Sequence, residues 1–136
     1  MRGLRRDSGQ SVLELAIAMP VLLALLVGIF EFGIAWNRKQ VLTNAAREAA
    51  RFAVLPRPKT EDDVQAVVDD YLNSAAIPTS EVTATYVNYD AGTNETVTVT
   101  LTMNHELTFV GPIMGFMGGS VPGAVTLSST VNMRHE

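Results

Sequence analysis

Residues 9–36 read GQSVLELAIAMPVLLALLVGIFEFGIAW, and the reading of this stretch decides the rest of the chain. From residue 15 to residue 36 the only charged side chain is Glu31. As a helix rising ~1.5 Å per residue, that run reaches about 33 Å, enough to cross a bilayer core of ~30 Å. Its Leu, Ile, Val and Phe residues together favour insertion by roughly 5 kcal/mol, whereas one acid costs about 2.5 kcal/mol at the centre and less near an end, where Glu31 lies. The expectation is a transmembrane helix over residues 10–36. Pro20 has no N–H to give the carbonyl of Ala16, so a helix kink is expected there, which membrane helices tolerate. Glu31 stands five residues before Trp36, within reach of the interface by snorkelling and available for contact with another helix.

On the N-terminal side, Arg2, Arg5 and Arg6 against Asp7 make residues 1–9 a basic leader. A conventional secretory signal does not fit. The apolar run is longer than an h-region, and Gly33, Ile34 and Ala35 lead into a bulky Trp36 rather than a small-residue cleavage site. Glu14 opens the apolar run instead, one helical turn from Gln10, and a carboxylate at a helix start gains about 0.3–1 kcal/mol from the helix dipole.

Gly9 followed by Gln10, Ser11, Val12, Leu13 and Glu14 resembles the prepilin cleavage pattern, with glutamate at the fifth position after the cut. The continuation Leu15, Ala16, through Pro20, to Gly28, Ile29, Phe30, Glu31, Phe32, Gly33 is similar to the TadE-like (TadE/TadG) minor pilins of the tight-adherence pilus system. So is residues 42–51, LTNAAREAAR. The resemblance covers roughly residues 5–54. It implies a leader cut after Gly9 by a prepilin peptidase, Gln10 as the new N-terminus, and Glu14 neutralising the amine of a neighbouring subunit to set axial register. It also implies a bacterial inner-membrane protein with a periplasmic head, whose partners are other pilin or pseudopilin subunits and the assembly platform. Leu15 stands where major pilins of that system usually carry tyrosine, and the chain is much longer than those miniature subunits. Both departures favour a minor pilin or pseudopilin over the main filament subunit.

Beyond Trp36 the helical pattern continues through residues 37–54 as a juxtamembrane stem. Val41, Ala45, Ala49 and Phe52, with Leu42, Ala46, Ala50 and Ala53, give it a broad face of small residues, fit to pack on its own head or on another subunit. Pro56 and Pro58 end it. Thr60 and Asp63 have the spacing of a capping box and open a second helix, in which Val64, Val67, Val68, Tyr71, Leu72 and Ala75 form one apolar stripe. Asp62, Asp63, Asp69 and Asp70 on its other side read as a solvated face, because no histidine or glycine-bearing calcium loop accompanies them.

The last third alternates with a period of two. Val97, Val99, Leu101 and Met103 face one way and Thr96, Thr98, Thr100 and Thr102 the other. Residues 81–89 form the preceding strand, residues 90–94 a hairpin loop, and residues 124–134 a third strand with Val125, Leu127, Val131 and Met133 on one face. The fold class is therefore α+β: a long N-terminal transmembrane helix and stem, then one further helix packed on a small three-stranded antiparallel sheet, with residues 55–136 as a small acidic head. Between the last two strands, residues 109–123 read FVGPIMGFMGGSVPG. This loop lacks the Gly-Lys-Ser/Thr ending of a phosphate cradle. Phe109, Ile113, Met114, Phe116 and Met117 are too apolar for a solvated loop; they either cover the open end of the core or, through Phe116 and Met117, form a Met-rich partner contact.

Composition narrows the function. Residues 55–136 hold ten acids against Arg57, Lys59 and Arg134, net −7, which argues against a nucleic-acid partner. There is no cysteine, His105 and His135 stand alone, and no nucleophile elbow or zinc motif occurs, so neither a catalytic nor a metal or cofactor site is expected. The basic leader favours a cytoplasmic N-terminus, with Arg38 and Lys39 on the far flank counting against it. The expected function is a noncatalytic structural subunit, a minor pilin or pseudopilin in tight-adherence type IV pilus assembly. The rival is a single-pass, unprocessed extracytoplasmic binding or adaptor domain.

Overall fold

The computed structural model describes residues 4–56, 59–89 and 95–134, with side chains from residue 9 onward. The hairpin loop expected over residues 90–94 and the second histidine, His135, lie outside the described residues. Among the described residues, three α-helices, α1 (Leu4–Ala53), α2 (Glu61–Ser74) and α3 (Val110–Phe116), and a 3-10 turn at Thr79–Glu81 accompany three strands, β1 (Val82–Val87), β2 (Thr96–Glu106) and β3 (Ala124–Arg134). The chain divides into two compact units. One comprises Met1–Ile34 with Glu106–Gly123, the other Ala35–His105 with Ala124–Glu136.

The second unit has the α+β fold expected from the sequence, but it takes in residues 35–54 and leaves out residues 106–123, so its bounds are not those of the head expected over residues 55–136. Its sheet has the order β1-β2-β3. β1 runs antiparallel to β2, with Val82 opposite Met103, Ala84 opposite Leu101 and Tyr86 opposite Val99. Hydrogen bonds from Thr126 to Asn104 and between Thr100 and Thr130 set β3 antiparallel on the other side of β2. The period-two pattern places Val97, Val99, Leu101 and Met103 on one face of β2, and all four are buried. Against them lie Val64, Val68 and Leu72 of α2 and the small face of α1, where Leu42, Ala45, Ala46, Ala49, Ala50 and Ala53 are fully buried. Alanines let the helix backbone approach closely, and a core this small depends on that closeness for packing density. The stem residues thus contribute one wall of the head's own core.

Local chemistry sets the helix ends. The Lys59 ammonium donates to the carbonyls of Ala53 and Leu55, covering acceptors left open where α1 stops. The Thr60 hydroxyl accepts from the Asp63 N–H at 3.2 Å while the Asp63 carboxylate accepts from the Thr60 N–H at 2.7 Å, the reciprocal capping box read from the sequence. At the other end of α2, the Ile77 N–H returns to the Leu72 carbonyl, with Ala76 in the left-handed region at φ 55°.

Ser129 and Tyr86 are polar side chains turned inward. Buried Ser129 donates to the Thr43 hydroxyl of α1. The half-buried Tyr86 donates its hydroxyl to Gln65 at 2.6 Å, and Gln65 in turn donates to Asp69 at 2.7 Å. Burial first, then the nearby Asp69 and Glu61 carboxylates, push the Tyr86 phenol well above its ordinary value of about 10. An acid whose folded pKa is raised stays protonated in the native state while the unfolded chain loses its proton, so stability falls as pH rises through about 10. Between pH 10 and 12 the head will therefore lose stability faster than its Tyr86→Phe variant. The difference will be less than the ~1.4 kcal/mol per pH unit of a fully buried phenol, because solvent screens this one. Denaturant titrations of both proteins across that range measure it.

Candidate functional site

α1 is continuous from Leu4 to Ala53 and passes through Gly9, Gln10, Glu14, Pro20 and Glu31. It is long and apolar enough to cross a membrane, and none of its most apolar window is buried within the protein. At its N-terminal end the Gln10 side-chain amide donates to Glu14 at 3.1 Å, one turn on. That places the residue following Gly9 and the acid on one exposed face. A Cβ at Gly9 would meet nothing within 4 Å, so packing in this chain does not demand a glycine there. In a helix interior glycine costs about 1 kcal/mol relative to alanine, and the local fold offers no return for it.

Glu31 behaves differently from an acid snorkelling to an interface. It is only 4 % exposed, although its neighbours Phe30 and Phe32 are 72 % and 67 % exposed. Its two carboxyl oxygens accept the backbone N–H groups of Phe109 at 2.6 Å and Val110 at 2.9 Å. These are the first donors of α3, which carry no intrahelical partner, and Glu31 supplies from 78 positions away the acceptor that a local cap residue would normally provide. The physical reason is a competition: a carboxyl group on an apolar rod gains more from two amide donors within the protein than from stretching along the helix to water.

The segment that Glu31 holds, a loop by its composition, is a short helix in the fold. Pro112 in its first turn and the pair Gly118-Gly119 beyond its end are the sequence signals for it. Phe116 is 85 % exposed, and Phe109 and Met117 are also exposed. Ala16, Pro20 and Leu23 of α1 line one apolar groove with Pro112, Ile113 and Phe116. The proline of the expected kink therefore lies in the contact surface of α3.

No group of three or more His, Cys, Asp or Glu residues placed to hold a metal occurs among the described residues. His105 is buried on the core face of β2 with neither ring nitrogen hydrogen-bonded. Arg38 and Glu81 pair at 3.4 Å at the surface of the head, a contact worth at most about 1 kcal/mol.

A long N-terminal helix apolar enough to cross a membrane and a small α+β unit define the class of chain. The helix can be placed more closely: residues 9–51 match the family model for TadE-like protein. Over that third of its length the chain is similar to TadE-like proteins, and the match begins at Gly9 and ends two residues short of the end of α1. A comparison with the curated proteins gave no match, and neither did one with the solved structures.

Proposed function

We propose that this chain is a minor pilin or pseudopilin of the tight-adherence pilus, a noncatalytic structural subunit held in the bacterial inner membrane by α1 with its head on the periplasmic side. The observation that carries the reading is the family match over residues 9–51, which starts at the glycine expected to precede the cut. Cleavage after Gly9 frees the amine of Gln10 one turn from Glu14, whose pairing with Gln10 shows that the two positions share a face. A carboxylate entering a hydrocarbon layer needs a partner, and the amine of a neighbouring subunit supplies one of opposite charge.

Intact mass tests the proposal. Protein recovered from cells that contain the prepilin peptidase is expected to lack residues 1–9 and to begin at Gln10. Retention of those residues in such cells would instead make the chain an unprocessed anchored domain, and loss through about residue 35 would make it a secreted one.

A further inference from the structure

We infer that residues 109–117 are a second membrane-inserted element, a re-entrant segment that lies in the lipid hydrocarbon along α1, with Glu31 as the polar group that permits its entry. The inference rests on the reading of residues 10–36 as a membrane span.

Four observations carry it. The first is composition: residues 109–123 contain no charged side chain, and the polar one among them is Ser120. An apolar run of this length is too short to span a bilayer but suits a re-entrant segment. Position is the second. Glu31 receives the start of the segment near the outer end of the span, whereas Phe116 shares a groove with Ala16, Pro20 and Leu23. Leu23 is eight residues from Glu31, and eight residues of helix rise ~12 Å, so Phe116 lies at the level of the middle of the apolar run or deeper.

The third observation is backbone accounting, which hydrocarbon enforces because no water is there to bond with exposed N–H and C=O groups. At the start of α3, Glu31 accepts from Phe109 and Val110, and Pro112 has no N–H to satisfy. At its end, the Gly119 N–H donates to the Met114 carbonyl at 2.8 Å and the Gly118 N–H to the Gly115 carbonyl at 3.1 Å. That is a Schellman closure, for which Gly118 adopts φ 77°. The Leu107 N–H donates to the Gly123 carbonyl at 2.9 Å and ties the base of the segment together. A solvated loop would have had water for these groups.

Exposure is the fourth. Phe109, Phe116 and Met117 present their side chains outward, on the same unit as the outward Phe30 and Phe32 of the span. In water such a patch would be costly, whereas against acyl chains it continues the lipid-facing surface of α1.

The test uses the absence of cysteine in the chain. Single variants Phe116→Cys, Leu22→Cys and Thr85→Cys are labelled with a bimane fluorophore in the full chain and reconstituted into phosphatidylethanolamine and phosphatidylglycerol vesicles containing nitroxide-labelled lipid. Leu22 reports the span and Thr85 the exposed face of β1 in the head. Quenching at Phe116 is expected to come within about twofold of that at Leu22 and to exceed that at Thr85 several-fold. Adding Glu31→Ala to the Phe116 variant is expected to drop its quenching to the Thr85 level while Leu22 stays unchanged. Strong quenching at Leu22 with none at Phe116 overturns the inference and leaves the anchor standing; disulfide trapping of two Phe116→Cys copies in that case would assign the segment to a protein contact. No quenching at Leu22 overturns the span and the inference together. Quenching at Phe116 that survives Glu31→Ala removes the role given to Glu31.

Discussion

A Glu14→Ala variant is expected to insert into the membrane and to lose residues 1–9 like the parent, yet to be absent from purified pili and from complexes with the assembly machinery. The argument separates two uses of one carboxylate. Within the chain, Glu14 accepts a hydrogen bond from the Gln10 side chain and gains a few tenths of a kcal/mol from the helix dipole, a contribution too small to decide insertion or folding. Removing an acid from an apolar segment eases insertion. The expected loss therefore belongs to a contact between subunits, where an unpaired amine or carboxylate in hydrocarbon costs several kcal/mol. Blotting of membrane and sheared-pilus fractions, together with intact mass of the membrane form, measures both halves. Normal entry of the variant into pili would show that Glu14 does no more than help start a helix.

The second large effect concerns the stem. Ala46→Asp is expected to destabilise the head of the isolated, detergent-solubilised protein by at least about 3 kcal/mol, a large share of the ~5–15 kcal/mol that holds a domain together. Ala46 is fully buried between α1, α2 and the sheet, and a carboxylate there has neither water nor a partner. Asn44→Asp, two residues away on the exposed side of the same helix, introduces the same group and is expected to change stability by less than ~0.5 kcal/mol. Denaturant titration of the two variants distinguishes the roles that a small-residue face can serve. Were the alanines chiefly a seam between subunits, both variants would leave the solitary protein equally stable, and the Ala46 variant would fail at assembly.

The long apolar helix, the capping box that starts α2, the alternations of β2 and β3, and the likeness to TadE-like proteins are all legible along the chain. Each of these is a local pattern: apolar length, a three-residue spacing, a period of two, a motif within one run of chain. Local patterns survive in the folded state because they report on backbone geometry that neighbours in sequence already impose.

The remaining features come from contacts between residues distant in sequence. That Glu31 would face two amides 78 and 79 positions away is written in no spacing, because an acid on an apolar rod fits an interface anchor equally well until the partner is in place. Whether the alanine face served its own head or a neighbour likewise depended on what α2 and the sheet presented to it, and in this fold they present Val64, Val68, Leu72 and the core face of β2. The helix at residues 110–116 is not legible in the sequence, because seven residues carry too little periodicity to outweigh their glycines and proline. Its ends are completed by a distant carboxyl group and a glycine turn, and long-range partners of that kind exist only once the chain has folded back on itself.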